Sequence, residues 1–227
     1  MVRIASFDIG VKNFAFWVDD YDDLSVSHYP PVSNVTFNAD GTPSERACSV
    51  YDAVFSSGSA VRFDNTDISG GEKNMNNDIL CTMIDLMEEN ADVFDTCDYF
   101  VVEKQMSFGK ARNPKAIRLG HHLQSYLICK YGRFANVLEY PAYYKTQILG
   151  AKKDKTVTKS GKVKYKAINY AARKNWAIDK AVEILLARTD FESIEDILSM
   201  KKMDDVSDCL LQGVAFVITH VLGQKRL

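Results

Sequence analysis

The chain has 227 residues, 46% of them hydrophobic, and a formal net charge of −2. That length suits one domain, or one with an insertion, with enough apolar residues for a sizeable core. The composition argues against a membrane-spanning helix, since no run of about 18 apolar residues occurs; against a secretory start, since the first residues enter a strand-like pattern directly; and against a disulfide framework or zinc site, since the five cysteines are an odd number without CxxC spacing. A reducing, intracellular compartment is expected.

Val2–Ile9 reads as a buried strand, and Asn13–Val18 as a second one after a tight turn at Gly10-Val11-Lys12, which makes a hairpin. Residues 19–75 are acidic and rich in Ser, Asn and Gly, and read as a loop-rich insertion or extended meander with one strand near Ala60–Phe63. Asn76–Asn90 has helical spacing, Asp98–Glu103 is strand-like, and Pro114–Tyr131 is a helix with Ile117, His121, Leu123, Leu127 and Ile128 as candidate apolar-side positions. Asn136–Glu139 is a short strand ended by Pro141, followed by a helical turn over Tyr143–Leu149. Ala151–Gly161 reads as a basic flexible loop, Val163–Arg188 as a long helix with a break near Asn175, and Met203–Leu222 as the last helix. A hairpin followed by alternating helices and strands predicts an α/β fold: a mixed sheet, with a three-stranded antiparallel meander plus parallel strands, flanked by helices.

Charge is distributed unevenly along this order. Residues 1–103 hold five Lys/Arg against nineteen Asp/Glu, residues 104–138 hold seven basic residues and no acid, and residues 142–188 hold twelve basic residues and three acids. The basic middle suggests a polyanion-binding face, with Lys104, Lys110, Arg112, Lys115, Arg118, Lys152 and Lys153 as candidate phosphate contacts. Phe108 is a candidate for stacking on unpaired bases, whereas Tyr143 reads as a core aromatic. His121-His122, in mid-helix, suits packing or phosphate contact better than metal ligation. No GxxxxGK[ST] phosphate loop and no Gly-x-Ser-x-Gly elbow is present, which argues against an NTPase or an α/β-hydrolase.

Three acidic stations stand out. Asp8 and Glu103 each end an apolar strand, and Asp204, Asp205 and Asp208 open the last apolar helix. An ionised acid at the end of a buried strand is costly unless compensated. A divalent cation compensates several at once, because Mg²⁺ takes oxygen ligands from carboxylates and phosphates. In the last helix Asp205 and Asp208 are three apart and share a face, while Asp204 and Asp208, four apart, are an alternative pair. Dipole compensation in a helix's first turn would also favour one acid there. The pattern predicts a metal-dependent nuclease or related phosphoryl-transfer enzyme.

Asp8-Ile9-Gly10-Val11-Lys12-Asn13-Phe14-Ala15, Val101-Val102-Glu103-Lys104-Gln105 and Asp205-Val206-Ser207-Asp208-Cys209-Leu210 together resemble the motifs of RuvC-type Holliday junction resolvases of the RNase H-like (retroviral integrase) superfamily. The start is more similar to the poxvirus and fungal mitochondrial resolvases than to bacterial RuvC. The resemblance implies an RNase H-like nuclease domain over 1–227 and a four-acid site of Asp8, Glu103, Asp205 and Asp208. It further implies two Mg²⁺ or Mn²⁺ ions and a homodimer acting on four-way DNA. It also implies a catalytic lysine, and Lys145 stands at the fitting distance after Glu103. The expected compartment is host cytoplasm for a viral protein and mitochondrion or nucleus otherwise. The rival readings are another RNase H-like nuclease, acting on hybrids or flaps, and a non-catalytic DNA-binding protein. The 19–75 region is longer than that resemblance leads one to expect.

Overall fold

The structure, a computed structural model, describes residues 1–22, 37–105 and 112–223. In chain order the elements are β1 (Val2–Asp8), β2 (Phe14–Tyr21), α1 (Glu45–Ser57), β3 (Gly58–Thr66), α2 (Asn77–Glu89), α3 (Ala91–Phe94), β4 (Tyr99–Lys104), α4 (Pro114–Tyr131), β5 (Asn136–Pro141), α5 (Tyr143–Ile148), β6 (Asp154–Val157), β7 (Val163–Lys166), α6 (Tyr170–Ala187), α7 (Phe191–Ser199) and α8 (Met203–Phe216), the last continued by a π-helical turn over Val217–Val221. Five strands form one sheet in the order β3-β2-β1-β4-β5. The first three pair antiparallel as a meander, and β4 and β5 run parallel to β1. The mixed sheet flanked by helices is the architecture expected from the sequence.

Strand alternation divides the core in two. Ile4, Ala15, Trp17, Tyr21 and Val101 pack with α1, α6, α7 and α8 on one face. Ala5, Phe7, Phe14, Phe16, Val18, Phe100 and Val102 pack with α2, α3 and α4 on the other. Asp8 and Glu103 stand in phase with Ile4 and Val101, so both strand-end acids project towards the side covered by α8. The β1–β2 turn needs its glycine, because a Cβ at Gly10 would lie 2.6 Å from the Asn13 carbonyl oxygen.

Several sequence expectations are corrected. The 19–75 region contains the whole of α1 and a β3 longer than Ala60–Phe63; residues 23–36 of it lie outside the described residues. Ser44 caps α1 by accepting from the Ala47 N–H, and Ala47, Val50, Tyr51, Val54 and Phe55 form its buried stripe. The 151–166 stretch is the two-stranded β6–β7 hairpin, not a loop leading into a helix. The helix begins at Tyr170, where Asn169 caps it, and it runs through Asn175 without a break. The last helix does not stay α-helical to Leu222, since α8 gives way to the π turn at Val217. On α4 the buried positions are Ala116, Leu119, Gly120, Leu123 and Leu127, while His121 and Ile128 face solvent. Tyr143 is exposed rather than in the core. Helices α3 and α7 were not anticipated. Among the described residues no helix is long and apolar enough to cross a membrane.

One buried ion pair ties the first face together. Arg188 and Asp19, each with side-chain exposure of 2%, meet in a two-pronged contact at 2.9 and 2.8 Å. Asp19 also accepts from the Trp17 indole and the Tyr21 hydroxyl, and Arg188 donates to the Phe55 carbonyl. Every prong is satisfied, so removing one partner strands a charge. Arg188→Ala is expected to lower unfolding stability by about 3–5 kcal/mol, read by urea denaturation. A loss near zero would show that water reaches Asp19.

Candidate active site

Asp8 ends β1, Glu103 is the penultimate residue of β4, and Asp208 lies one turn into α8. One carboxylate oxygen from each lies within 4.8 Å of the others. The parallel pairing of β1 and β4 sets the first two side by side, since Phe7 opposes Val102 in the register. The third arrives because α8 crosses the sheet closely. Gly213 faces Ser6, and a Cβ on it would fall 2.8 Å from the Ser6 hydroxyl. Gln212, buried, donates to the Phe7 and Val101 carbonyls at 3.3 and 2.9 Å, which pins α8 across both acid-bearing strands. The sequence reading missed Gln212. Its signal was a lone polar side chain in an apolar helix, one turn beyond Asp208.

Lys145 is buried against this cluster. Its Nζ lies 2.7 Å from Glu103 Oε2 and 3.1 Å from Asp208 Oδ2. Burial alone would lower its pKa, but the charges of Asp208, Glu103 and Asp8 outweigh burial and hold the ammonium above its ordinary range. The short helix α5 that carries it is held by α1, where the Tyr51 hydroxyl donates to the Ile148 carbonyl. The helix missed in the 19–75 region therefore supports the lysine of the site.

One ammonium does not neutralise the acids. Burial, reinforced by Glu103, raises Asp8 well above the ordinary carboxylate range. Burial also raises Asp208, against the opposing pull of Lys145. Asp205 does not join the three-oxygen cluster. Its Oδ2 is buried without a hydrogen-bond partner, and burial followed by the Asp204 charge pushes it up to about 6. Asp204 is instead engaged by Lys174. Of the two ligand pairs left open by the sequence, this arrangement pairs Asp204 with Lys174 and leaves one Asp205 oxygen without a partner.

The donor set of Asp8, Glu103 and Asp208, all carboxylate oxygens with net negative charge, fits a hard divalent cation. A pH dependence follows for the metal-free protein. The Asp205 value of about 6 lies above its unfolded value of about 3.9. Its contribution to stability is therefore full below the unfolded value and lost as pH rises through the folded one. The thermal midpoint should fall between pH 5 and pH 7. Added Mg²⁺ should restore it at pH 7 and do little at pH 5, because ligands must be ionised to bind. Asp205→Asn should weaken both effects; scanning calorimetry with unchanged profiles would remove Asp205 from the site.

The candidate phosphate contacts are spread more widely. Lys104 is exposed beside the cluster, 3.7 Å from Glu139. It borders a cavity of about 170 Å³ that Glu103, His121 and Gln124 also line. Arg112, Lys115, Arg118 and Lys152 are exposed, with Lys115 donating to the Lys73 carbonyl, and Lys153 is half-buried near Gly41. Lys110 and Phe108 lie outside the described residues. No histidine joins an acidic cluster among the described residues.

No protein-family model matches the chain. It is 28% identical to protein 170L of invertebrate iridescent virus 6, an uncharacterised protein, over 95% of this chain and 88% of that one. It is 28% identical to the uncharacterised protein 97L of invertebrate iridescent virus 3, over 92% of this chain and 98% of that one. Among solved structures, the fowlpox virus resolvase in complex with Holliday junction DNA is similar with a TM-score of 0.55 at 15% identity, covering 96% of this chain and 98% of that one. The yeast mitochondrial Holliday junction resolvase gives 0.53 at 10% identity, covering 97% and 81%. RuvC of Thermus thermophilus gives 0.51 at 12% identity, covering 98% of both. The chain has the RuvC-type, RNase H-like fold, over nearly its whole length.

Proposed function

We propose that this protein is a structure-selective DNA endonuclease that resolves four-way (Holliday) junctions by metal-dependent phosphodiester hydrolysis. The observation that carries the reading is the convergence of Asp8, Glu103 and Asp208 oxygens within 4.8 Å of one another, with the buried Lys145 ammonium seated on Glu103 and Asp208. The fold shared with three Holliday junction resolvases supports it.

Asp8, Glu103 and Asp208 would hold one Mg²⁺ or Mn²⁺, and Asp8 with Asp205 a second. Bound there, the ions supply Lewis-acid stabilisation of the phosphoryl oxygens in an in-line displacement. The chain's own residues do the rest. Gln212 fixes the spacing of the two strands that carry Asp8 and Glu103. Lys145 brings a fixed positive charge to the place where negative charge grows on the phosphoryl group. The basic residues following Glu103, together with Lys152 and Lys153, hold the flanking phosphates and fix position without reading bases. A junction presents two equivalent strands, so the active unit is a homodimer with two equivalent sites. The viral origin of the relatives suggests that it works in an infected host cell, in the cytoplasm.

The test is cleavage of a substrate panel in Mg²⁺: a synthetic four-way junction, a flap, a linear duplex and an RNA–DNA hybrid. The expected result is paired cuts in the junction and little action on the duplex, by a species that light scattering measures as a dimer. Preferential cutting of the hybrid or flap would assign the site to another nuclease activity. Binding without cutting of any substrate would leave a DNA-binding protein.

A further inference from the structure

The β6–β7 hairpin has no core of its own. Both strands are exposed on both faces apart from the half-buried Thr156. An isolated two-stranded ribbon is marginal in water, so its presence asks for something outside the chain to cover it. Its register makes it two-faced. Lys155 opposes Tyr165 and Val157 opposes Val163, while Asp154 opposes Lys166 and Thr156 opposes Lys164. Directly paired residues share a face. One side is thus Val157, Val163 and Tyr165 with Lys155, and the other is polar and cationic. The apolar members are 65%, 48% and 37% exposed.

The charge indicates the occupant. Residues 152–166 carry seven lysines (152, 153, 155, 159, 162, 164 and 166) and the single acid Asp154. A second copy of the ribbon would bring like charges together. A polyanion with exposed apolar faces matches both sides, and unstacked bases flanked by phosphates have that chemistry. The placement agrees. The hairpin follows α5, which carries Lys145, and leads into α6, whose Lys174 holds Asp204 beside Asp205. Its base is fixed where the Lys153 N–H donates to the Asp40 carbonyl at 2.6 Å.

We infer that the β6–β7 hairpin is the element that recognises the branch, with Val157, Val163 and Tyr165 packing against unstacked bases at the crossover and the lysines gripping the adjoining phosphates. Apolar side chains on DNA-binding proteins wedge base steps apart in the same way. This rests on the proposed junction-resolving function and adds to it the residues that distinguish a branch from a linear duplex.

The experiment compares the parent with Val157→Ser/Val163→Ser/Tyr165→Ser and with Lys164→Gln/Lys166→Gln, in Ca²⁺. The probes are a four-way junction with 2-aminopurine at the branch and a linear duplex of equal length. The apolar-face variant should lose about tenfold in junction affinity, as expected for one lost stacking contact. Its duplex affinity and salt slope should be unchanged, and the 2-aminopurine fluorescence rise should disappear. The lysine variant should weaken both substrates alike and lower the salt slope by about two. Tyr165→Ser alone serves as the milder variant, with circular dichroism checking the fold. If the parent prefers junctions and the apolar-face variant keeps that preference and the fluorescence rise, the inference is wrong while the function stands. If the variant instead loses dimerisation with its junction preference intact, the face belongs to a second copy and the inference is also wrong. A parent without affinity for junctions overturns both.

Discussion

Asp8→Asn and Glu103→Gln are expected to reduce junction cleavage by at least about 10³-fold, more than one preorganised donor is usually worth. Junction binding should be retained. Under the proposed function the acids and the basic residues divide the labour: the cluster would act on chemistry, and phosphate contacts would supply affinity. Asp8→Asn removes a negative charge that burial and neighbouring acids already disfavour, and Glu103→Gln removes another from the same cluster, so affinity for the polyanion should rise slightly. Asp208→Asn should behave alike. Asp205→Asn should cost more activity than Asp204→Asn, because Asp204 is engaged by Lys174 while Asp205 keeps an unpartnered oxygen. Single-turnover cleavage at saturating protein measures all five. Near-parent rates for Asp8→Asn and Glu103→Gln would end the site assignment, and a reversed order at 204 and 205 would move the ligand pair to Asp204 and Asp208.

Lys145→Ala is expected to lower the cleavage rate on the order of 10²-fold, the loss typical of one preorganised electrostatic group, with junction binding little changed. Lys145 is buried against Glu103 and Asp208 and does not face solvent as a phosphate-contact lysine would. Its ammonium also shares the oxygens that would bind metal. Removing it should therefore shift the Mg²⁺ activation midpoint to lower concentration even as the plateau rate falls. A surface phosphate contact would show the opposite, losing affinity and about one unit of salt slope. If Lys145→Ala cuts at the parent rate while Lys152→Ala or Lys153→Ala does not, the catalytic lysine lies after α5.

The strand-end acids were legible because the signal is local: an apolar period-two run that closes on an ionisable group. That same alternation placed Asp8 and Glu103 on the side of the sheet that α8 covers. Lys145 was not legible from its own neighbours and came only with the family resemblance, since its burial depends on three acids far away in the chain. The proposed preference for Asp205 over Asp204 rests on Lys174, thirty residues upstream, a pairing no spacing rule supplies. The stripe of α1 was present in the sequence, but Ser- and Gly-rich flanks disguised it. In Val163-Lys164-Tyr165-Lys166 the alternation of a strand is visible, and it was absorbed into the helix that follows. The hairpin has no buried face, so no hydrophobic pattern marked where it ended.

The central claim, that the Asp8–Glu103–Asp208 cluster is a divalent-metal site, is tested most directly by a crystal structure grown with Mn²⁺ and measured for anomalous scattering. The account predicts a strong peak ligated by Asp8, Glu103 and Asp208, a second between Asp8 and Asp205, and Lys145 displaced from one or both of its carboxylate partners. Full Mn²⁺ occupancy elsewhere on the protein, with the Lys145 ammonium still seated on Glu103 and Asp208 and no peak among the acids, would contradict it.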